Sequence, residues 1–245
     1  MNWASIVQQV SPHIVQIEAQ TANKTQGTGF LCRYDSRTGF CYVATVAHVV
    51  AEANKSHQPL SLRGYTSDRP LILGAADRYI WEDTENDCAI IRFCPKEFPI
   101  PRSAVPLRPI DSPISSGVEV GWLGFPSIAI TPNPLCFFSG SVSAHRTDRS
   151  GYLIDGIAVN GVSGGPVIVA DVTGTQFVGV VRRYLYNRGQ GGDTLPGLLI
   201  AQSVSHLHKI IEQIDSKHGF PPPKNGIKRR NRKGVSSPPA RNLKR

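Results

Sequence analysis

Long apolar runs are missing from this chain of 245 residues. A transmembrane helix needs about 18 or more consecutive apolar residues, and no stretch of that kind occurs. The first residues also lack the basic start and unbroken apolar segment of a signal peptide, because Gln8, Gln9 and Ser11 interrupt them. We therefore expect a cytoplasmic protein, or a nuclear one in a eukaryotic cell.

Cys-x-x-Cys pairs are missing, and the positions of the five cysteines argue against a disulfide framework and a zinc site. The five cysteines form no Cys-x-x-Cys pair, and an odd number leaves at least one thiol unpaired. Neither these cysteines nor the scattered histidines have the spacing of a zinc ligand set, so we expect no metal and no cofactor. The sequence predicts reduced, structural cysteines at Cys32, Cys41, Cys88, Cys94 and Cys136.

Helical periodicity is sparse as well. Hydrophobic residues make up 40% of the chain, and 23 glycines and 19 prolines break them into short runs such as residues 118–123 and 176–181. This pattern is typical of strands and turns, and a single all-β domain of this length is common. Helical spacing is clear at residues 204–214, with Ser203 as a cap, and residues 3–10 form a shorter amphipathic candidate.

Acidic residues are absent from the end of the chain. Ten of the 27 basic residues lie from Lys217 onward, which leaves 17 basic residues against 18 acidic ones in the rest of the chain. Residues 219–245 have too few apolar side chains to fold alone, which predicts a basic disordered tail. Its open roles are solubilisation, weak contact with nucleic acid or an anionic membrane, and a nuclear localisation signal at residues 228–233.

The most informative motif is GVSGGP at residues 161–166. Its glycines bracket Ser163 in a turn whose backbone N–H groups can converge on one point. Such a turn can make Ser163 a nucleophile, provided that the fold also supplies a base and an orienting acid.

Two upstream motifs supply candidates for that base and that acid. His48 lies in the apolar, β-prone run VATVAHVV at residues 43–50. Asp87 begins the strand-like run DCAIIRF at residues 87–93. Asp83 is the competing acid, but it lies in a polar segment without such a run directly after it, so Asp87 is the better candidate.

In this order and with these flanks, His48, Asp87 and Ser163 resemble the chymotrypsin/trypsin-like serine peptidases, and among them the Deg-type (high-temperature-requirement) proteases, here without a PDZ domain. The resemblance covers roughly residues 3–217, and it includes the motifs GTGF at 27–30, GWLGFP at 121–126 and GLLIA at 197–201. It implies an all-β fold of two six-stranded Greek-key β-barrels with a C-terminal helix. The implied divisions are a peptidase domain at 1–218, with barrels at about 1–105 and 106–202 and the helix at 203–215, and the tail at 219–245.

The same resemblance implies a serine endopeptidase that acts on a protein or peptide. Ser163 would attack the carbonyl, His48 would take its proton, and Asp87 would fix the imidazole tautomer. The backbone N–H groups of Gly161 and Ser163 would form the oxyanion hole. The resemblance places the substrate pocket at Ile157, as its base, and at Val180, Val181, Arg182, Arg183, Tyr184 and Gly197.

Two features of this implied pocket set expectations for specificity and rate. Without a carboxylate at its base, cleavage after Lys or Arg should be poor, whereas Arg182 and Arg183 favour acidic residues at neighbouring substrate positions. Many relatives have a small polar residue in place of Arg182, and a pairing of Arg182 with Asp87 would lower the basicity of that carboxylate. Two alternatives stay open: a catalytically latent or inactive peptide-binding module, and a hydrolase of other acyl groups. The sequence makes no prediction of oligomeric state.

Overall fold

β-Strands dominate the computed structural model, which describes residues 2–22, 24–67, 69–127, 133–146, 150–157, 159–188 and 194–216. The helices in this part of the chain are α1 (Trp3–Val10), α2 (Ala47–Lys55) and α3 (Ser205–Ser216), with short 3₁₀ turns at Ser11–His13 and Ala75–Asp77. The strands are β1 (Ile14–Ala19), β2 (Gln26–Asp35), β3 (Phe40–Thr45), β4 (Leu60–Gly64), β5 (Leu71–Leu73), β6 (Arg78–Asp83), β7 (Cys88–Phe93), β8 (Glu119–Gly124), β9 (Cys136–His145), β10 (Gly151–Asp155), β11 (Pro166–Asp171), β12 (Gly174–Arg188) and β13 (Thr194–Ser203).

The strands form two antiparallel sheets, one from each half of the chain. The second sheet is a closed six-stranded barrel in the order β10-β13-β12-β11-β8-β9. The first has seven strands in the order β5-β4-β1-β2-β3-β7-β6, and within the described residues its edge strands β5 and β6 do not pair. The predicted all-β fold with two barrel-like units is therefore confirmed. It differs in one detail, because the first unit is a half-barrel with an extra short strand.

Aromatic side chains join the two units. Phe30 on β2 and Phe177 on β12 are both fully buried, and their ring centroids lie 4.7 Å apart in an edge-to-face contact. Within the second barrel, Trp122 is fully buried and stacks on Phe138. Burial of such large rings contributes strongly to stability, so the contact between Phe30 and Phe177 helps to hold the two units together.

The helices predicted at both ends of the chain are confirmed. In α1, Ile6 and Val10 point into the core. In α3, the buried residues include Leu207, Ile210 and Ile214, at the spacing of one helix face, and Ser203 Oγ accepts a hydrogen bond from the Ser205 N–H. No helix in the described ranges is both long and apolar enough to cross a membrane.

His48 lies on a helix, so the β-prone interpretation of residues 43–50 is wrong in its second half. β3 ends at Thr45, Val46 is extended with φ −93° and ψ 147°, and α2 begins at Ala47. Three alanines favour the helix, and α2 packs against β1. Burial of the apolar face outweighs the local β-propensity; the buried residues are Ala47, Val49, Val50 and Ala53.

The cysteines are free thiols, as the sequence predicted. Cys32 Sγ donates a hydrogen bond to the Tyr42 carbonyl, and burial raises the pKa of Cys32 and of Cys41 to about 12. These two thiols are therefore protonated and unreactive at neutral pH. The tail at residues 219–245 lies outside the described residues, and its boundary stays a prediction.

Candidate active site

His48 and Asp87 form a doubly anchored pair between α2 and the start of β7. The imidazole Nδ1 lies 2.9 Å from Asp87 Oδ2 and 3.1 Å from Oδ1, and the His48 backbone N–H donates to Oδ1 at 3.0 Å. The Asp87 side chain is only 12% exposed, whereas the His48 side chain is 48% exposed. The carboxylate therefore fixes the ring from its buried side, and the opposite nitrogen, Nε2, is left for the solvent side.

Arg182 is the second side chain that binds Asp87. Its Nε donates to Asp87 Oδ2 at 3.1 Å. The strand pairing explains this contact: Val181 lies opposite Ala201 and Arg183 lies opposite Ile200, so Arg182 is an extra residue in β12. Such a β-bulge changes the direction of a side chain, and here it directs the guanidinium at the carboxylate. The pairing that the sequence left open is therefore present.

Asp87 is held in its ionised form. Burial alone would raise the pKa of this carboxyl group, but the hydrogen bonds and charge of His48, together with the charge of Arg182, lower the pKa below its usual value. Asp87 consequently carries a full negative charge at neutral pH, and two neighbours share it. That sharing reduces the stabilisation that Asp87 can give to a protonated His48.

Asp87 sits in an unusual backbone conformation that its neighbours hold. Its φ of 54° lies in the left-handed region, which a non-glycine residue rarely adopts. Next to it, the Asn86 carbonyl accepts a 2.7 Å hydrogen bond from Gln202 Nε2, and Asp83 accepts from both the backbone and the side chain of Asn86. Asp83, the competing acid, thus supports the loop and does not contact the His48 ring within the described residues.

Ser163 lies in the second of two consecutive tight turns. The Val162 N–H donates to the Val159 carbonyl at 3.2 Å, and the Gly165 N–H donates to the Val162 carbonyl at 2.9 Å. The third residue of each turn is a glycine with positive φ, 88° at Gly161 and 90° at Gly164. This is the pattern of a type II turn. The double turn presents Ser163 at a half-buried position on the surface of the barrel.

Glycine is required at both positions by space as well as by φ. A Cβ on Gly161 would lie 2.4 Å from the Phe125 carbonyl oxygen, and one on Gly164 would lie 2.0 Å from the Thr28 carbonyl oxygen. Both contacts are with backbone, which cannot move aside cheaply. Any side chain at these positions would displace the turn that carries Ser163.

Two backbone N–H groups of this turn are available to a ligand. The Asn160 carbonyl accepts a hydrogen bond from the Ser127 N–H at 2.7 Å, so the Gly161 N–H, on the opposite side of the same trans peptide, points away from Ser127. Within the described residues, neither the Gly161 nor the Ser163 N–H donates to a backbone carbonyl. Such unpaired donors can hold an anionic oxygen.

Thr28 on β2 connects the first unit to the Ser163 turn. Its hydroxyl donates to the Gly161 carbonyl at 2.7 Å and accepts from the Phe125 N–H at 3.0 Å. Its backbone N–H donates to the Ser163 carbonyl at 2.8 Å. Thr28 is fully buried, so water could not replace it as the hydrogen-bond partner of these three groups. Thr28 belongs to the GTGF motif at residues 27–30, but this motif carries no sign of the connecting role.

Replacing Thr28 by valine tests this connection. The shape is kept, but the Gly161 carbonyl and Phe125 N–H lose their partner, so we expect the free energy of unfolding to fall by about 2–3 kcal/mol. We also expect slower reaction of Ser163 with an acylating probe, since the turn is less fixed. Thr28→Ser, which keeps the hydroxyl, is the matched control. Urea unfolding and labelling rates measure both effects, and a valine variant as stable and reactive as Thr28→Ser would contradict this role.

His48, Asp87 and Ser163 line one cleft of about 670 Å³, together with Val159, Asn160, Arg182, Arg183, Tyr184, Leu185 and Tyr186. The structure therefore brings the three proposed catalytic side chains to one opening, His48 and Asp87 from the first unit and Ser163 from the second. Within the described residues, no hydrogen bond joins Ser163 Oγ to His48 in this conformation. The same part of the chain contains no group of three or more His, Cys, Asp or Glu residues that could hold a metal ion.

Only some of the residues predicted for the substrate pocket line this cleft. Arg182, Arg183 and Tyr184 are among the lining residues. Ile157 does not line it; Ile157 is 63% exposed, and the preceding Gly156 lies close to the indole of Trp122.

The remaining predicted pocket residues lie beneath or beside the cleft. Val180 and Val181 are buried in the two cores, and the Val181 carbonyl accepts a hydrogen bond from the Gly164 N–H at 2.7 Å. The Gly197 N–H donates to the Tyr184 hydroxyl at the side of the cleft. The lining residues that sequence reasoning missed are Val159, Asn160, Leu185 and Tyr186.

A second cavity of about 750 Å³ lies where the loop after Leu107 meets the start of α3. Its Arg108 guanidinium is bound by Asp171 and Gln176, and Ser203 Oγ accepts from the Ser205 N–H. These polar groups hold the loop and helix to the barrel. The first cleft, with its paired imidazole and carboxylate, is the better candidate for chemistry.

A model of the trypsin-like peptidase domain family matches residues 27–180 of the chain. This match covers more than half of the 245 residues, and the chain therefore belongs to the trypsin-like peptidase domain family. A search of curated proteins found no match to the chain.

Solved structures of HtrA- and Deg-type proteases are similar in fold. The HtrA-type protease AlgW with tripeptide has a TM-score of 0.62 at 19% identity, with 87% of this chain and 64% of that chain covered, so the chain spans less than two thirds of it. Deg5 has a TM-score of 0.61 at 18% identity, covering 84% of this chain and 90% of that one. Rv3671c from M. tuberculosis H37Rv, in an inactive form, has a TM-score of 0.56 at 20% identity, covering 86% and 91%. The predicted resemblance to Deg-type proteases is confirmed for the fold.

Proposed function

We propose that this trypsin-like peptidase domain is an active serine endopeptidase, with Ser163 as nucleophile, His48 as general base and Asp87 as the group that orients His48. One observation carries the proposal: Asp87 binds the His48 ring through Nδ1, which leaves Nε2 for the cleft that Ser163 also lines. A neutral imidazole protonated on Nδ1 can accept a proton on Nε2, as a general base must.

The reaction follows from these positions. Ser163 Oγ forms a bond to the substrate carbonyl carbon while its proton passes to His48 Nε2, and the new oxyanion binds the N–H groups of Gly161 and Ser163. The C–N bond then breaks, and the amine leaves with the proton from His48. A water molecule repeats the sequence on the acyl-enzyme, giving the carboxylic acid and free Ser163.

Hydrolysis of unfolded protein tests this proposal. We expect the wild-type chain to cleave denatured casein, and the Ser163→Ala variant, which keeps the cleft but lacks the hydroxyl, to leave it intact. Mass spectra of the products should show new amino termini at internal peptide bonds. Equal cleavage by both proteins would exclude Ser163 as nucleophile.

Two observations favour a second candidate, a latent or inactive module that binds peptides in the same cleft. No hydrogen bond joins Ser163 to His48 within the described residues, and Arg182 shares the charge of Asp87. The first is weak support, because catalytic hydrogen bonds are often long without substrate. A wild-type chain that binds peptides, is folded and cleaves none of them would support this candidate.

We propose a separate role for the basic residues 219–245, which lie outside the described part of the chain. Clustered Lys and Arg bind polyanions mainly by displacing counterions, so weak, salt-sensitive binding without sequence preference is expected. Cytoplasmic or nuclear localisation stays a prediction.

Truncation after residue 218 measures the contribution of this tail. We expect the thermal midpoint and casein cleavage to match the full chain, because the tail lies beyond α3. Binding to single-stranded DNA and to phosphatidylserine vesicles should fall to background. A truncated chain that unfolds, or that binds either polyanion as the full chain does, would contradict this division.

A further inference from the structure

One edge of β12 lies open beside Ser163. β12 pairs with β13 from Gly179 to Arg188, but its pairing with β11 stops at Val180, and the Val181 N–H makes a last bond to the Gly165 carbonyl. From Arg182 onward, β12 has no second strand partner within the described residues. An open edge offers N–H and carbonyl groups to an extended peptide. The cleft can therefore hold a peptide backbone along β12.

The charge of the cleft is not balanced along this edge. Its charged lining groups are Asp87, Arg182 and Arg183, and Asp87 and Arg182 pair with each other. Arg183 is exposed, and no carboxylate of the described residues lies within salt-bridge distance of it. One uncompensated guanidinium therefore faces the cleft, and its planar fork matches a carboxylate.

The distance from Ser163 indicates which part of a substrate Arg183 would contact. The Gly164 N–H donates to the Val181 carbonyl at 2.7 Å, so β12 is fixed to the nucleophile turn at Val181. Arg183 follows two residues later. An extended peptide advances about 3.3 Å per residue, as a strand does. When the peptide carbonyl that Ser163 attacks lies at Ser163, the peptide side chain about two residues from that carbonyl would lie alongside Arg183.

We propose that the cleft selects peptides with an acidic side chain about two residues from the bond that Ser163 attacks, and that Arg183 binds this side chain. The assignment of that bond rests on the proposed function, but the binding of the acidic side chain does not. Tyr184 and Tyr186 pack edge to face at 5.6 Å beside Arg183 and give the same edge an apolar surface.

Matched peptides test this specificity by binding and by cleavage. The probes are fluorescein-labelled decapeptides. Their parent sequence is an uncharged peptide from the casein digest or, if there is none, an uncharged peptide from a library. A single Glu, or a single Gln for comparison, is placed at each position in turn. In the Ser163→Ala background, Glu at the favoured position should bind about two- to five-fold tighter than Gln, the size of one exposed charge pair. The difference should shrink at high salt.

Variants assign the effect to Arg183. Arg183→Gln should bring the Glu-to-Gln ratio close to one, and Arg183→Glu should favour Lys at the same position. Arg37→Gln is the matched control, since Arg37 is 84% exposed beside Asp35, outside the cleft lining. Its ratio should stay at the wild-type value.

The two proposals fail in different ways. Equal binding of the Glu and Gln peptides at every position, or a ratio that survives Arg183→Gln, would overturn the role of Arg183 even if cleavage occurs. Selective binding of the Glu peptide by a chain that cleaves nothing would support Arg183 and overturn the peptidase proposal.

Discussion

Asp87→Asn is expected to lower the rate of peptide hydrolysis by about 10⁴-fold while the chain stays folded. In the structure, Asp87 accepts from the His48 backbone N–H, from His48 Nδ1 and from Arg182 Nε. An asparagine has only one acceptor oxygen and adds two donors, so its NH₂ must face at least one of these N–H groups. The negative charge that stabilises protonated His48 is lost as well, whereas the positive charge of Arg182 remains. Steady-state kinetics and circular dichroism of the variant measure the two parts of this expectation.

Asp83→Asn is the control for Asp87→Asn, because Asp83 holds the same loop without touching the His48 ring. We expect Asp83→Asn to lower the rate about ten-fold or less, since it weakens the hydrogen bonds to Asn86 and the contact with His206, neither of which involves His48. A larger loss in Asp83→Asn than in Asp87→Asn would mean that the acid is wrongly assigned.

His48→Ala should lower the rate of hydrolysis by about 10⁶-fold relative to wild type, more than Asp87→Asn does. The reason is that no other group in the described cleft can take the proton of Ser163. Asp87 lies behind the ring and is held by Arg182, so it cannot replace the base. Single-turnover rates with a peptide substrate measure this loss.

His57→Asn is the control for His48→Ala. His57 lies just after the same helix, with a φ of 55° that asparagine tolerates, and it does not line the cleft. We expect hydrolysis at the wild-type rate. A His48→Ala chain that hydrolyses peptides as fast as His57→Asn would remove His48 from the mechanism.

The sequence predicted those parts of the site that short motifs encode. Ser163 could be proposed from the sequence because its turn needs glycine at two fixed positions with positive φ, and both glycines appear in the motif GVSGGP. Asp87 could be separated from Asp83 because an apolar strand directly follows only Asp87. The fold class followed from short apolar runs and turn residues, together with the family resemblance.

Other parts depend on contacts between distant segments, which no local pattern carries. His48 is helical because α2 buries an apolar face against β1, although the same residues have β-propensity. Ile157 is exposed, next to a glycine, Gly156, that lies close to Trp122 on another strand. The Arg182–Asp87 pair depends on a β-bulge, and the position of Thr28 depends on how the two units pack. None of these features has a signature in sequence spacing.

The most direct test of the account is covalent labelling with a fluorescent fluorophosphonate, which reacts with a serine hydroxyl only when a base has activated it. Wild-type chain, Ser163→Ala and His48→Ala would be compared at equal concentration, with heat-denatured wild type as background, and the labelled peptide would be identified by mass spectrometry. We expect labelling of wild type at Ser163, and background signal from both variants. Labelling of Ser163→Ala at the wild-type level, or no labelling of folded wild type, would contradict the central claim that Ser163 is an activated nucleophile.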